Sequence, residues 1–433
     1  MDDNRHDPRR ANARHDDPRQ DDLTSDERHD SASDEDLAPL SGADAGNAFA
    51  PLPIDWPDLA EEIREEFIFE REPDALEEPR LREFLQLCLR FGYMEKRIQG
   101  EILCEIPAHV SLLRGDEHRE LMEEAEALAE RERQNLGLEP GPIESVHEIF
   151  DELGIKIVEI APGNGVTSGA FVFNNDTGPA LLSVAVPNSP IARFILAHEY
   201  CHLLADVDPY HNRFCSHGEN GCTGAGYGGR LMDAADGIDP TALGATSGTS
   251  EEELHRAELR ADLFARNLLI PRTHFVSSLR QFGQGKRGEF DLERLSHMAY
   301  YYGVTTPMII NRLADLDLIT ADDARRMRAD VQAVLPQGLD TDPIGISSTT
   351  TLNVGHGESD DRIQATVSQR FIHLGLALYL NGQVSRKQLS TLLYTHGPAM
   401  TRLLQWVDSA KETAQRAREA EEQAGAGEGH ESE

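Results

Sequence analysis

Apolar residues along this chain follow two rhythms, separated by stretches that have none. The first 50 residues carry hardly an apolar side chain before Leu37, so 1–50 reads as a disordered acidic tail unable to bury a core. Leu81, Phe84, Leu85, Cys88 and Leu89 recur at helical spacing, and Gly92-Tyr93 leads into a second helix. An apolar pattern at 110–113 and a charged helix over roughly 116–135 follow, and 51–125 reads as a helical N-terminal module. A helix over 143–153 closes at Gly154, after which the period changes to two. Ile155–Ile160, Ser168–Phe173 and Ala180–Val186 are three strands, the last two joined by the turn Asn174–Gly178. Ser168–Phe173 is the candidate edge strand, to which an extended substrate segment would add.

Helical spacing returns after Asn188-Ser189-Pro190, an N-cap followed by proline near the first helical position. Ile191, Phe194, Ile195 and Ala205 share one side of this helix, and Asp206–Pro209 stops it. Periodicity is then lost over 207–249, a glycine-rich insertion that carries Cys215, His217 and Cys222. Ser250 and Glu253 form a capping box, and the next helix has the apolar face Leu254, Ala257, Ala261, Phe264, Ala265 and Leu268. Leu292, Leu295, Met298 and Ala299, then Gly303-Val304-Thr305, then Met308, Ile309 and Leu313, make a helix-turn-helix-like bundle over 290–330. Two readings compete, a DNA reader or a helical buttress; the second helix offers only Arg312 as a base, which is thin for phosphate contacts. Residues 335–365 are rich in Pro, Gly, Asp, Ser and Thr and read as a linker. Residues 366–409 read as a helical C-terminal module, and 410–433 as a second disordered tail.

The chemistry lies on the two central helices. His198-Glu199-Tyr200-Cys201-His202 is an H-E-x-x-H motif. Positions four apart share a helix face, so His198 and His202 can grip one metal ion, and Glu199 can act as general base toward a water that the metal activates. A catalytic zinc site needs a third protein ligand. Glu258 lies on the apolar face of the downstream helix with no cation in helix register, and a carboxylate carried inward calls for one from elsewhere. Asp262, one turn on, is a candidate acceptor for the outer N–H of a ligating histidine. Zinc is the default for two imidazoles and a carboxylate; Mn2+ and Fe2+ fit the same donors. Tyr200 and Cys201, off the ligand face, read as packing residues. For the insertion, the alternatives are a flexible surface loop, a lid, a second metal site with Cys201, and a thiol switch over the open metal position. No residue stands out as the oxyanion donor among Tyr227, His217, His255 and Arg256. The fold class expected is α+β: a small three-stranded sheet packed on metal-binding helices, flanked by all-α modules and disordered tails.

Arg193-Phe194-Ile195-Leu196-Ala197-His198-Glu199-x-x-His202, then Glu258-x-x-Ala261-x-x-Phe264-Ala265 and Leu268-Leu269-Ile270-Pro271, resemble the ImmA/IrrE family of metallopeptidases. The likeness extends upstream to Gly137-Leu138, Gly141-Pro142-Ile143 and Leu153–Ile157, and downstream to Gly303-Val304-Thr305, Arg312-Leu313 and Leu318-Ile319. It covers about residues 125 to 330, half the chain, and the catalytic domain is placed at 126–334. The resemblance implies that His198, His202 and Glu258 bind the metal and that Glu199 is the base. It also implies a cytoplasmic enzyme that cuts helix-turn-helix repressors, releasing genes for stress response or mobile-element transfer.

Charge narrows the alternatives. With 41 basic and 77 acidic residues the formal net charge is −36, which a duplex repels, so direct nucleic-acid binding is not expected. Five scattered cysteines fit a reducing cytosol, and no apolar run predicts a signal peptide or membrane span. The rival class is a non-catalytic regulatory protein on a peptidase fold that sequesters a partner; an intact Glu199 argues against it, because a structural site needs no base.

Overall fold

The structure is a computed structural model, which describes residues 68–69, 79–104, 118–162, 167–174, 177–206, 213–218, 251–282, 290–334, 349–354, 363–409 and 416, with 68–69, 118, 167, 174, 213–218 and 251–254 as backbone. All belong to the unit Ala45–Glu433. The tails expected over 1–50 and 410–433 (Arg416 aside), and the apolar segment at 110–113, lie outside the described residues. Among the described residues no helix is long and apolar enough to cross a membrane.

The fold is mixed α/β and mostly helical. Its strands are β1 (Ile68–Phe69), β2 (Lys156–Ile160), β3 (Thr167–Asn174), β4 (Gly178–Val184), β5 (Arg213–Gly218), β6 (Thr349–Val354) and β7 (Ile363–Ser368). They form one seven-stranded sheet in the order β1-β5-β3-β4-β2-β7-β6. The three expected strands are its centre: β2 pairs parallel with β4, and β3 pairs antiparallel with β4. The three-stranded sheet is thereby corrected, and so is the linker at 335–365. Within that stretch Thr349–Val354 is a strand, antiparallel to β7, which in turn pairs with β2. Its residues alternate in the strand period, Leu352 and Val354 buried and Thr351 and Asn353 exposed. Thr351 sits opposite Thr366, with their hydroxyls 3.1 Å apart, a cross-strand pair of β-branched residues. Threonines read as linker composition here serve as strand residues. The C-terminal module is therefore not all-α.

The edge assignment of Ser168–Phe173 is also corrected. Arg213–Gly218, from the insertion, pairs antiparallel with β3, and β1 pairs parallel with β5. A short, polar strand inside a glycine-rich stretch gives no periodic signal of its own.

The helices are α1 (Pro79–Gln99), α2 (His118–Asn135), α3 (Val146–Glu152), α4 (Pro190–Ala205), α5 (Glu251–Leu269), α6 (Arg272–Ser278), α7 (Leu292–Tyr302), α8 (Thr306–Asp315), α9 (Ala321–Val334), α10 (Gln369–Leu380) and α11 (Arg386–Leu392), and 397–409 is also helical. Gly92 does not divide α1. It is buried between the buried Phe91 and the half-buried Tyr93, and packing offsets the ~1 kcal/mol that glycine costs inside a helix. The boundary at 125/126 falls inside α2, which packs along α5.

Period two in the sheet sorts its side chains into two cores. Ile157, Phe171 and Leu181 face a core built with α2 to α9. Val158, Ile160, Ala170, Val172, Ala180 and Leu182 face a second core built with α1, α10 and α11. The sheet is thus the middle of three layers, and its central strands are covered on both faces. That placement buries two charges of β2 that alternation alone would have left outside. Glu159 accepts from the backbone N–H of Asn188 at 3.0 Å and lies 2.9 Å from His147. Lys156 lies 2.7 Å from Glu95 of α1, whose other oxygen takes Arg370 of α10 at 2.6 Å; Arg370 also donates to Asp151 at 2.9 Å. Burial pulls the Lys156 ammonium below its ordinary range, with Glu95 opposing. Glu95→Ala is expected to cost about 3–5 kcal/mol, because it leaves two cations facing one buried gap. Urea denaturation at fixed pH measures it, and Glu95→Met/Lys156→Met should recover most of the loss.

The helix-turn-helix-like bundle is α7 to α9, and its apolar faces join the core of the central helices. Arg312 is buried there, donating to the Ile270 carbonyl at 3.0 Å and pairing with Glu126. This base is held within the fold by those partners.

Candidate metal centre

α4 starts where the sequence marks it: the Ser189 hydroxyl accepts from the Ala192 N–H at 3.1 Å, with Pro190 in the first turn. Arg193 anchors that end, donating to the carbonyls of Ile143 at 2.6 Å and Glu144 at 3.1 Å. Its guanidinium lies under Gly303 (φ 63°), where a β-carbon would come within 3.2 Å. Burial lowers Arg193 to about 10, still fully charged at neutral pH. Every residue of α4 is buried, so the inward direction of the histidines follows from the whole helix lying in the interior. α5 packs along α4 with the small side chains of Cys201, Ala261 and Ala265 fully buried.

This packing brings His198, His202 and Glu258 together. One ligand atom from each lies within 4.8 Å of the others, and all three side chains are buried. The two Nε2 atoms are 3.1 Å apart; Glu258 oxygens lie 3.4 Å from His198 Nε2 and 3.8 Å from His202 Nε2. The outer nitrogens are committed elsewhere. His198 Nδ1 donates to Asp262 at 2.9 Å, and His202 Nδ1 donates to Asp206 at 2.7 Å. An ionised carboxylate only accepts, so each Nδ1 carries a proton; with the rings neutral, as metal ligation requires, each presents its Nε2 lone pair to the centre. Two lone pairs and a carboxylate converging in a buried space repel one another unless a cation is shared. The spacing fits one: two nitrogens at ~2.0–2.1 Å from a tetrahedral ion stand roughly 3.3 Å apart. The donor set can therefore hold a divalent metal ion.

Glu199 is fully buried beside His198. Its carboxylate lies against Gly169 of β3, where an added β-carbon would strike Glu199 Oε1 and sit 2.8 Å from Ile195 Cγ2. Phe171, two residues along the same strand face, stacks on the His202 ring at 5.7 Å. The little solvent exposure at the centre is on the Glu258, Asp262 and Asp206 side, where Asp206 is the most open.

Three residues of the site stand outside the motifs. Asp206 is a helix stop in the sequence, but it also stands four positions after His202, the i,i+4 spacing that brings two side chains together. Arg260, which pairs with Asp206 across the helices, carries no local signal. Gly169 did carry one, since a glycine within a strand marks close approach by another group. Burial pushes the Asp206 carboxyl up, but Arg260 and His202 outweigh it and hold it at about 2. Burial drives the Cys201 thiol up to about 12, with Arg260 opposing, and the side chain packs in the core between α4 and α5. Tyr200 also packs, its hydroxyl donating to Glu132 at 2.5 Å. Cys215 and His217 have their Cα atoms in register with Phe171 and Gly169. Their side chains, and Cys222 and Tyr227 entirely, lie outside the described residues. His255 and Arg256 are half-buried on the N-terminal half of α5.

No known family model matches the chain, and no curated protein matches it.

Proposed function

We propose that this chain is a metal-dependent endopeptidase of the His-His-Glu type, similar to the ImmA/IrrE peptidases, that cuts a helix-turn-helix repressor. The observation that carries the reading is the convergence of His198 Nε2, His202 Nε2 and the Glu258 carboxylate beside buried Glu199, with both outer ring N–H groups already bound to carboxylates. His198, His202 and Glu258 would hold the ion; zinc suits the set, and manganese or iron shares it. When bound, such an ion supplies Lewis acidity toward a water and the scissile carbonyl. Glu199 takes the proton of the attacking water on a carboxylate oxygen and returns it to the departing amine nitrogen. Asp262 and Asp206 keep the two rings in the Nδ1–H tautomer throughout, and Phe171 shields one face of His202.

Two observations support a repressor as substrate. The motifs at 193–202 and 258–271 resemble peptidases with such substrates, and a DNA-binding repressor carries a basic face that a chain of net charge −36 attracts. The test is intact-mass analysis of a panel of helix-turn-helix repressors after incubation with wild type and with Glu199→Gln. A single cut made by wild type alone is the expected result; no cut in any member would remove the repressor assignment.

Gly169→Ala probes the base from the other side of the site. The methyl group forces the Glu199 carboxylate and Ile195 to shift, while the three ligands are untouched. Cleavage should fall about 10²-fold, the usual result of misplacing a reacting group by about 1 Å. Metal content, measured on the same preparation, should not change.

A further inference from the structure

We infer that Asp206 and Arg260 are positioning residues for His202: Arg260 holds Asp206, and Asp206 holds the imidazole with Nε2 turned toward His198 and Glu258. The inference rests on the metal-centre reading above, and it assigns roles to two residues that the motifs leave out.

The two histidines are oriented by unlike means. Asp262, which takes His198 Nδ1, stands inside a regular helix. Asp206, which takes His202 Nδ1, is the C-cap of α4 itself, with its backbone N–H on the His202 carbonyl at 2.9 Å. A carboxylate at a helix end has rotamers that leave His202. Arg260 holds Asp206 in the one that faces it. Its guanidinium takes Asp206 Oδ1, leaving Oδ2 for His202. Both side chains are largely enclosed, so the pair is little screened by solvent.

The arrangement also gives α5 control of the whole centre. Glu258 supplies a ligand, Asp262 sets His198, and Arg260 sets His202 through Asp206. Arg260 also hydrogen-bonds Cys201, but a relay of this kind is expected to reach the metal ligands through the His202 ring. Arg260 should then lose its influence on the metal once Asp206 is gone.

A double-mutant cycle on the full chain tests this, with zinc alone as the probe, titrated in competition with a chromophoric chelator. Asp206→Ala and Arg260→Ala should each weaken zinc binding about 10–100-fold, as removal of a group that orients a ligand typically does. The double variant should bind no more weakly than Asp206→Ala. Zinc binding unchanged in Arg260→Ala, or losses that multiply in the double variant, would overturn the proposal. Asp206→Asn keeps the shape of the side chain should Asp206→Ala fold poorly. A second readout needs no metal. Long-range 1H–15N spectra of the chelator-treated protein, with His202 assigned by its loss in His202→Gln, should show one Nδ1–H tautomer in wild type and a mixture in Arg260→Ala. An Nε2–H tautomer in wild type would sink the relay. Failure of wild type to take up zinc would instead end the metallopeptidase reading, and the tautomer would still decide the role of Asp206 and Arg260.

Discussion

Glu199→Gln is expected to stop cleavage while leaving the metal bound. The amide keeps the shape of the carboxylate, so packing against Gly169 and Ile195 survives and the ligand atoms of His198, His202 and Glu258 stay in place. What is lost is a proton acceptor. General acid–base groups contribute about 10²–10⁴-fold, and in the proposed mechanism Glu199 serves twice, first toward the attacking water and then toward the leaving amine. A fall toward the upper end, about 10⁴-fold in kcat, is expected. Metal content by mass spectrometry should remain one equivalent in both proteins. Cleavage that persists in Glu199→Gln would remove this residue from the mechanism. A variant that loses both metal and activity would place Glu199 in the support of the site.

Glu258→Ala is expected to leave the purified chain without stoichiometric metal. The variant removes one of three donors and leaves two imidazoles whose Nε2 atoms stand 3.1 Å apart. Loss of a group that merely orients a ligand weakens binding about 10–100-fold; loss of the ligand should exceed about 10²-fold. Competition titration with zinc gives the number, and wild type and Glu199→Gln run alongside supply the reference. Retention of one equivalent by Glu258→Ala would show that the third ligand lies elsewhere, with the residues of the insertion as the place to look. Absence of uptake in all three proteins would leave a partner-binding protein as the reading of the chain.

Much of the site was legible because its signals are local. Two histidines four apart on an amphipathic pattern must share a helix face, and Ser189-Pro190 sets where that helix begins. Glu258 and Asp262, also four apart, share a face of α5 for the same reason, and the acid found on its apolar side does meet the histidines. The strand centres at β2, β3 and β4 were visible through their period of two. The misreadings were of another kind. Thr349–Val354 looked like linker because threonine is common to loops and strands, and only β7 as a neighbour decides between them. Arg213–Gly218 looked like loop because a strand so short is stabilised by its partners, here β1 and β3.

The chain's own order of residues thus determined the helices that carry the candidate metal site, the faces they present and the donor types they offer. Tertiary structure alone decided that β3 lies inside the sheet, that Lys156 and Glu159 are buried with partners, that Gly169 meets Glu199, and that Arg260 reaches Asp206. The division has a physical cause. Helical and strand periods are set by backbone geometry within a few residues, whereas the choice among distant partners is made by which packing buries both faces of the sheet and pairs the charges it encloses.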